Sequence, residues 1–212
     1  MSNEELGPEE RGLRPAGGPV QGGSPGQLVR MGLFFYGAMA AVALIWRTGI
    51  YGEPILYASP QAAAAGVAIW SDVLVGLLAG GLVIAVSHQV SARTEWGEQL
   101  ARALGSALGF LRVPDAVLLA LASGIAEEML FRGALQPRVG WLVASVVFGL
   151  VHFVPRREFL PWTAFAVLAG LLFGGLFALT GNLVAPVTAH FVVNAVNLPV
   201  LVRRYGGATP EA

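Results

Sequence analysis

The sequence contains no cysteine and no lysine. The first absence excludes disulfide bridges, thiolate metal sites and a cysteine nucleophile, and leaves the redox compartment open. The second makes all 13 basic residues arginine, a usage that fits a GC-rich genome. Charge is scarce too. Only 12% of the 212 residues are charged, where a soluble domain carries about 25%. The formal net charge is zero, so there is no bulk attraction to nucleic acid. What fills the space is apolar: the chain is 55% hydrophobic and its mean hydropathy is +0.66. These values imply an all-α, polytopic membrane helix bundle forming one domain.

From Met1 to about Gln27 the chain is rich in glycine, proline and glutamate and has no apolar period. A disordered tail over 1–27 is expected. It is not read as a signal peptide, because no apolar stretch follows a basic start and no small-residue cleavage site precedes the first span. The transmembrane domain covers 28–204, and 205–212 form a loose C-terminal tail. Six apolar runs, roughly 31–51, 62–87, 115–136, 141–154, 159–180 and 183–202, are long enough to cross or nearly cross a bilayer. The fourth is short.

Segment 91–112 differs. Trp96, Leu100, Leu104, Leu108 and Leu111 recur at three- and four-residue steps among charged residues. That spacing predicts an amphipathic helix lying in the interface. Ten arginines (11, 14, 30, 93, 102, 112, 156, 157, 203 and 204) fall on one side of the six-span layout, against Arg47 and Arg138 on the other. The positive-inside rule then places both termini in the cytoplasm, with the chain in a bacterial inner membrane.

Polar residues inside these runs carry the chemistry. Glu127, Glu128 and Arg132 sit in the third run, His152 ends the fourth, and His190 and Asn194 lie in the sixth. Each charged side chain near the bilayer centre costs about 2.5–3.5 kcal/mol on insertion scales, so partners inside the membrane are required. Counted from the span ends, Glu127, His152 and His190 all lie roughly 10–17 Å below the outer surface at about 1.5 Å per residue. Three helices can therefore bring them to one level. Glu128 and Arg132 are four apart and share a helix face, while Glu127 points about 100° away. His190 and Asn194 are also four apart. Gly124, Ala126 and Gly133 permit close helix approach, and Gly170 and Gly174 read as a packing step. Asp72 is read as a member of a polar network at similar depth. His88 is interfacial, and Asn197 either lines the site or bonds within its helix.

Glu127-Glu128-xxx-Arg132, Phe148-xxx-His152 and His190-xxx-Asn194, in that order and each within an apolar run, resemble the motifs of the CPBP (Abi) family of CAAX prenyl protease-like and bacteriocin-processing intramembrane endopeptidases. The resemblance covers about 115–202. It implies that Glu127, with His152, activates a water as general base. His190 and Asn194 would donate to the oxyanion, and Glu128 and Arg132 would orient those groups. A metal-free, glutamate-type mechanism is the expectation. Zinc on Glu127, His152 and His190 is the alternative, since two His and one Glu form a catalytic zinc set elsewhere although HExxH is absent. The expected partner is a membrane-associated protein or peptide, cleaved near a membrane-embedded or C-terminal tail. The outer-half depth points to a sorting tag on the outer side.

Two other classes use the same residue types. A proton-coupled transporter also needs intramembrane Glu, His and Arg, but no inverted repeat or matched pair of broken helices is visible. A non-catalytic immunity or scaffold membrane protein would tolerate loss of Glu127.

Overall fold

The computed structural model describes residues 25–108 and 111–206. The expected N-terminal tail lies outside these residues except for 25–27, which open the first helix. Of the expected C-terminal tail, Tyr205 ends the last helix and Gly206 follows it. Among the described residues there is no strand, only an isolated bridge between Tyr57 and Asn182.

The elements are α1 (Pro25–Leu44) with a π-helical continuation (Ile45–Ile50), α2 (Pro60–Ala65), α3 (Ile69–Arg93) and α4 (Glu95–Ala107). They continue with α5 (Val113–Glu128) and its π-helical continuation (Met129–Leu135), α6 (Gln136–Val139), α7 (Trp141–Leu150), α8 (Leu160–Thr180) and α9 (Val184–Tyr205). Proline stands in the first two positions of α2, α5 and α8, where its missing N–H would have had no helical partner anyway. Gly181 ends α8 in the left-handed region at φ +72, and its N–H closes on Phe177 O.

Two expected boundaries differ between α2 and α4. The run 62–87 is broken at 66–68, so α2 is a short separate helix and α3 starts at Ile69 and extends to Arg93. The Thr94 side chain accepts from Gly97 N–H at 3.1 Å and starts a new helix there, which trims the amphipathic helix to 95–107. α4 is polar on one side and buries Gly97, Ala101 and Gly105.

Four rods are long and apolar enough to cross a membrane: Gly26–Ile50, Ile69–Arg93, Arg157–Thr180 and Val184–Tyr205. The rod of α5 with its continuation is comparable in length but carries the site's charges, and α7 has only 10 residues. Side chains are distributed inside out. Phe34, Trp70 and Leu179 are exposed, whereas Arg132 and Glu128 are buried. Burial of charge with exposure of large apolar groups suits a lipid surround.

α9 is the hub, packed on α3, α4, α5 and α8. Glycines seat it closely. A Cβ on Gly76 or Gly80 of α3 would meet Ala185 O at 2.6 Å or Ala189 O at 3.0 Å. A Cβ on Gly105 of α4 would meet Leu201 O at 2.7 Å, and Tyr205 packs there too. One end of the bundle therefore carries α4, the starts of α1, α5 and α8 and the end of α9. Arg112, Arg156, Arg157, Arg203 and Arg204 belong to it. The other end is closed by segment 51–59. Leu183 N–H donates to Leu56 O and Ala58 N–H to Gly181 O, each at 2.9 Å. Arg47 and Arg138 both pair with Glu53, and Arg47 also donates to Tyr57 O at 3.3 Å.

Candidate active site

Glu127 and Glu128 are the last two residues of the α-helical part of α5. Being adjacent, they point to different neighbours. Glu128 is fully buried, accepting from Arg132 Nη1 at 3.1 Å and from His190 Nδ1 at 2.8 Å on the same oxygen. Arg132 lies in the π-helical continuation and also donates to Gly170 O at 3.1 Å. Its guanidinium stands 4.4 Å from the Phe148 ring centre and 5.6 Å from that of Phe173, a cation–π setting in which desolvation strengthens the attraction. One turn on, Gln136 Nε2 donates to Gly174 O at 3.0 Å. The glycine pair of α8 thus does two things. It lets α7 approach, with Ser145 O 2.9 Å from a Cβ built on Gly170, and it bares two carbonyls to the Glu128–Arg132–Gln136 face.

α7 stops at Leu150, earlier than the expected 154, so His152 sits in the turn beyond it. His152 Nδ1 lies 2.7 Å from Phe148 O. A carbonyl only accepts, so Nδ1 carries the proton. The same reasoning applies to His190, whose Nδ1 faces a carboxylate. Both imidazoles are thereby left with Nε2 toward Glu127, at 3.7 Å for His152 and 4.0 Å for His190 from its Oε2. These spans exceed a direct hydrogen bond. Glu127 Oε2 is buried and has no protein hydrogen-bond partner. With both imidazoles neutral, three acceptor atoms face one point, and a group that donates to them suits it. Rings fix the imidazoles from the sides: Phe173 stacks on His190 at 5.0 Å, and Phe148 lies 4.8 Å from His152.

His190 and Asn194 share a face of α9 but turn to different partners. Asn194 Nδ2 donates to Ser123 Oγ at 3.1 Å, and Ser123 Oγ in turn donates to Ala120 O. Ser123 lies one turn before Glu127. Tyr36 of α1 completes this flank, with its hydroxyl facing Ser123 and Glu127. Sequence reasoning named neither. The four-residue step from Ser123 to Glu127 was the available signal for the first, and a tyrosine well inside the first apolar run was the signal for the second.

Asp72 and Asn197 lie elsewhere. Asp72 accepts from Asn182 Nδ2 at 2.8 Å, where Asn182 Oδ1 accepts from Val184 N–H and ties the start of α9 to α3. Asn197 turns to α3, to His88 Nε2 at 3.1 Å and Ser87 Oγ at 3.4 Å, so it neither lines the site nor bonds within its own helix.

A cavity of about 340 Å³ reaches Glu127, His152, His190 and Asn194. It continues past Tyr36 and Trp162 to Leu28, Leu108, Leu111 and Leu198, toward the end that holds α4. No residue of segment 51–59 or of α2 lines it.

Residues 109–196 match the family model described as type II CAAX prenyl endopeptidase Rce1-like, which fits the CAAX protease-like resemblance of the motifs. The chain is 41% identical over 86 residues to a Bacillus subtilis (strain 168) protein named "Uncharacterized protein YpbD". That alignment takes in 40% of this chain and 44% of the relative, so less than half of the relative's length is spanned. No solved structure matches the chain.

Proposed function

We propose that the chain is an intramembrane endopeptidase that hydrolyses a peptide bond in the membrane-proximal tail of another protein. One observation carries the reading: the buried, unpartnered Glu127 Oε2 faces two imidazole Nε2 atoms whose opposite nitrogens are tied down. That is the arrangement of a general base with oriented neighbours.

Glu127 takes a proton from a water molecule. The water oxygen bonds to the peptide carbonyl carbon while the carbonyl π pair moves onto oxygen. His152 orients the water. Asn194 has a second N–H beyond the one given to Ser123, and His190 offers Nε2–H in its doubly protonated form. Both suit the developing oxyanion, a contribution of about 3–4 kcal/mol per donor. On collapse the C–N bond breaks, and the proton held by Glu127 passes to the leaving nitrogen. Glu128 and Arg132 position His190 and balance each other's charge.

Zinc on Glu127, His152 and His190 is the alternative, and Glu128 and Phe148 O would then be the outer partners of the imidazoles. A zinc would supply Lewis-acid polarisation. Glu127 Oε2 stands 3.7 and 4.0 Å from the two nitrogens, wider than the about 3.3 Å between ligands of one tetrahedral zinc. Among the described residues, no three His, Asp or Glu side chains form a compact metal-holding group. We favour the metal-free route, with zinc on these three residues as the alternative.

The substrate tail is apolar, to match the cavity lining, and enters from the end that holds α4 rather than past segment 51–59. That direction departs from the outer-side sorting tag suggested by depth alone. A prenylated C-terminal tail and an unmodified apolar tail both fit this chemistry.

The test is a C-terminal peptide profile of membrane proteins from cells carrying the native chain or Glu127→Gln at matched protein level. Uncleaved tails should accumulate in the variant. Identical profiles would overturn the protease reading and favour a transporter, checked by ion flux in liposomes, or a scaffold.

A further inference from the structure

The motif residues of α5, α7 and α9 leave one side of Glu127 to a helix that carries no motif. α1 packs along α5, and Tyr36 is its one polar-tipped side chain lining the cavity. The ring is half-buried, and its hydroxyl faces the Glu127 carboxylate and the Ser123 hydroxyl. Ser123 is held in turn by Asn194, so hydroxyl, hydroxyl and amide from α1, α5 and α9 form one polar ledge beside the base. Elsewhere the lining between this ledge and Leu28 is apolar. A phenol in such a place has no packing reason to outdo phenylalanine, because its hydroxyl must be desolvated and then satisfied. His190, meanwhile, has given Nδ1 to Glu128. In its neutral form it has no N–H left for a substrate, and a phenol beside Asn194 then supplies the second donor.

We propose that Tyr36 is a catalytic residue of this site, its hydroxyl donating together with Asn194 to the oxyanion formed when water adds to the scissile carbonyl. The inference rests on the protease reading above. The phenol keeps its proton throughout, so the balance of the hydrolysis is unchanged: the water proton still travels through Glu127 to the leaving nitrogen. Ser123 acts as a positioning residue, holding Asn194 and receiving the phenol between turnovers. The site is then completed by a helix outside residues 109–196, and the matched segment alone lacks one oxyanion donor.

The experiment uses the full chain. Tyr36→Phe, Glu127→Gln and the native protein are compared by tail accumulation in cells, and then as purified proteins in liposomes on the peptide that accumulates. Tyr36→Phe should accumulate the same tails as Glu127→Gln. In vitro it should lower kcat by about 10²–10³-fold with KM nearly unchanged, the signature of a lost oxyanion donor. Thermal unfolding in detergent should match the native chain, which separates chemistry from folding. As a second variant, a trifluorotyrosine at position 36 keeps the shape but titrates at lower pH. It should move the alkaline limb of the pH–rate profile downward, which a packing role would not. Native-like cleavage by Tyr36→Phe alongside an inactive Glu127→Gln would overturn the Tyr36 assignment alone. Native-like tails in both variants would overturn the protease reading and this inference with it.

Discussion

A guanidinium buried between a carboxylate and a helix carbonyl leaves both acceptors bare if it is removed. Arg132 holds Glu128 at 3.1 Å and Gly170 O at 3.1 Å, and Phe148 and Phe173 cover its faces. Lysine keeps the charge but not the planar fork that reaches both. Arg132→Met should therefore destabilise the bundle by about 3–5 kcal/mol, the usual cost of stranding one member of a buried ion pair. Thermal unfolding in a mild detergent checks this, and an unchanged midpoint would show that Glu128 finds another partner. At this scale much of the site was legible. The i,i+4 spacing of Glu128 and Arg132 was enough to read their pairing, and the turn of about 100° between adjacent helical residues was enough to send Glu127 elsewhere. Hydrogen-bond direction was not legible. Nothing in His190-FVV-Asn194 says that one side chain turns to Glu128 and the other to Ser123, because that depends on which helix lies across from each.

Elements bring these residues to one level, and glycine sets how closely. Gly76 and Gly80 of α3 let α9 approach until Ala185 O and Ala189 O nearly touch the α3 backbone. Ala189 immediately precedes His190. Gly80→Leu should push α9 outward, displace His190 by an ångström or so and lower kcat by about 10²-fold without altering any polar residue of the site. Gly81→Leu is the control, because a Cβ there meets nothing within 4 Å. Equal activity in the two variants would refute the seating role. Apolar runs marked the four rods long enough to cross a membrane, since length and hydropathy need no tertiary context. Three features were not so marked. The break at 66–68 and the end of α7 at Leu150 lie inside apolar runs, where only Gly66 and His152 interrupt the pattern. The π-helical turns at 45–50 and 129–135, each holding a buried arginine, leave no mark in the apolar spacing.

For the whole molecule, arginine placement and the cavity make one joint statement about sidedness. The end with Arg112, Arg156, Arg203 and Arg204 is the end toward which the cavity runs, and from the positive-inside rule we propose that this end is cytoplasmic. The absence of cysteine makes the test clean. Arg156→Cys should react with an impermeant thiol reagent in inverted vesicles only. Tyr51→Cys, on the opposite end, should react in right-side-out cells only. The reverse pattern would turn the molecule over and return the outer-side tail as the substrate.

The strap formed by residues 51–59, tied to 181–183 and pinned by Glu53, has a bearing on the cell's energetics. Hydrolysis needs water beside Glu127, and a wet passage running through the bundle would be a leak for protons. For the hydrolase proposed above, a strap that takes no part in the cavity lining would let water reach Glu127 from the α4 end without a passage to the opposite face. The electrochemical gradient that the membrane stores would then not be discharged, however much of the protein the membrane holds.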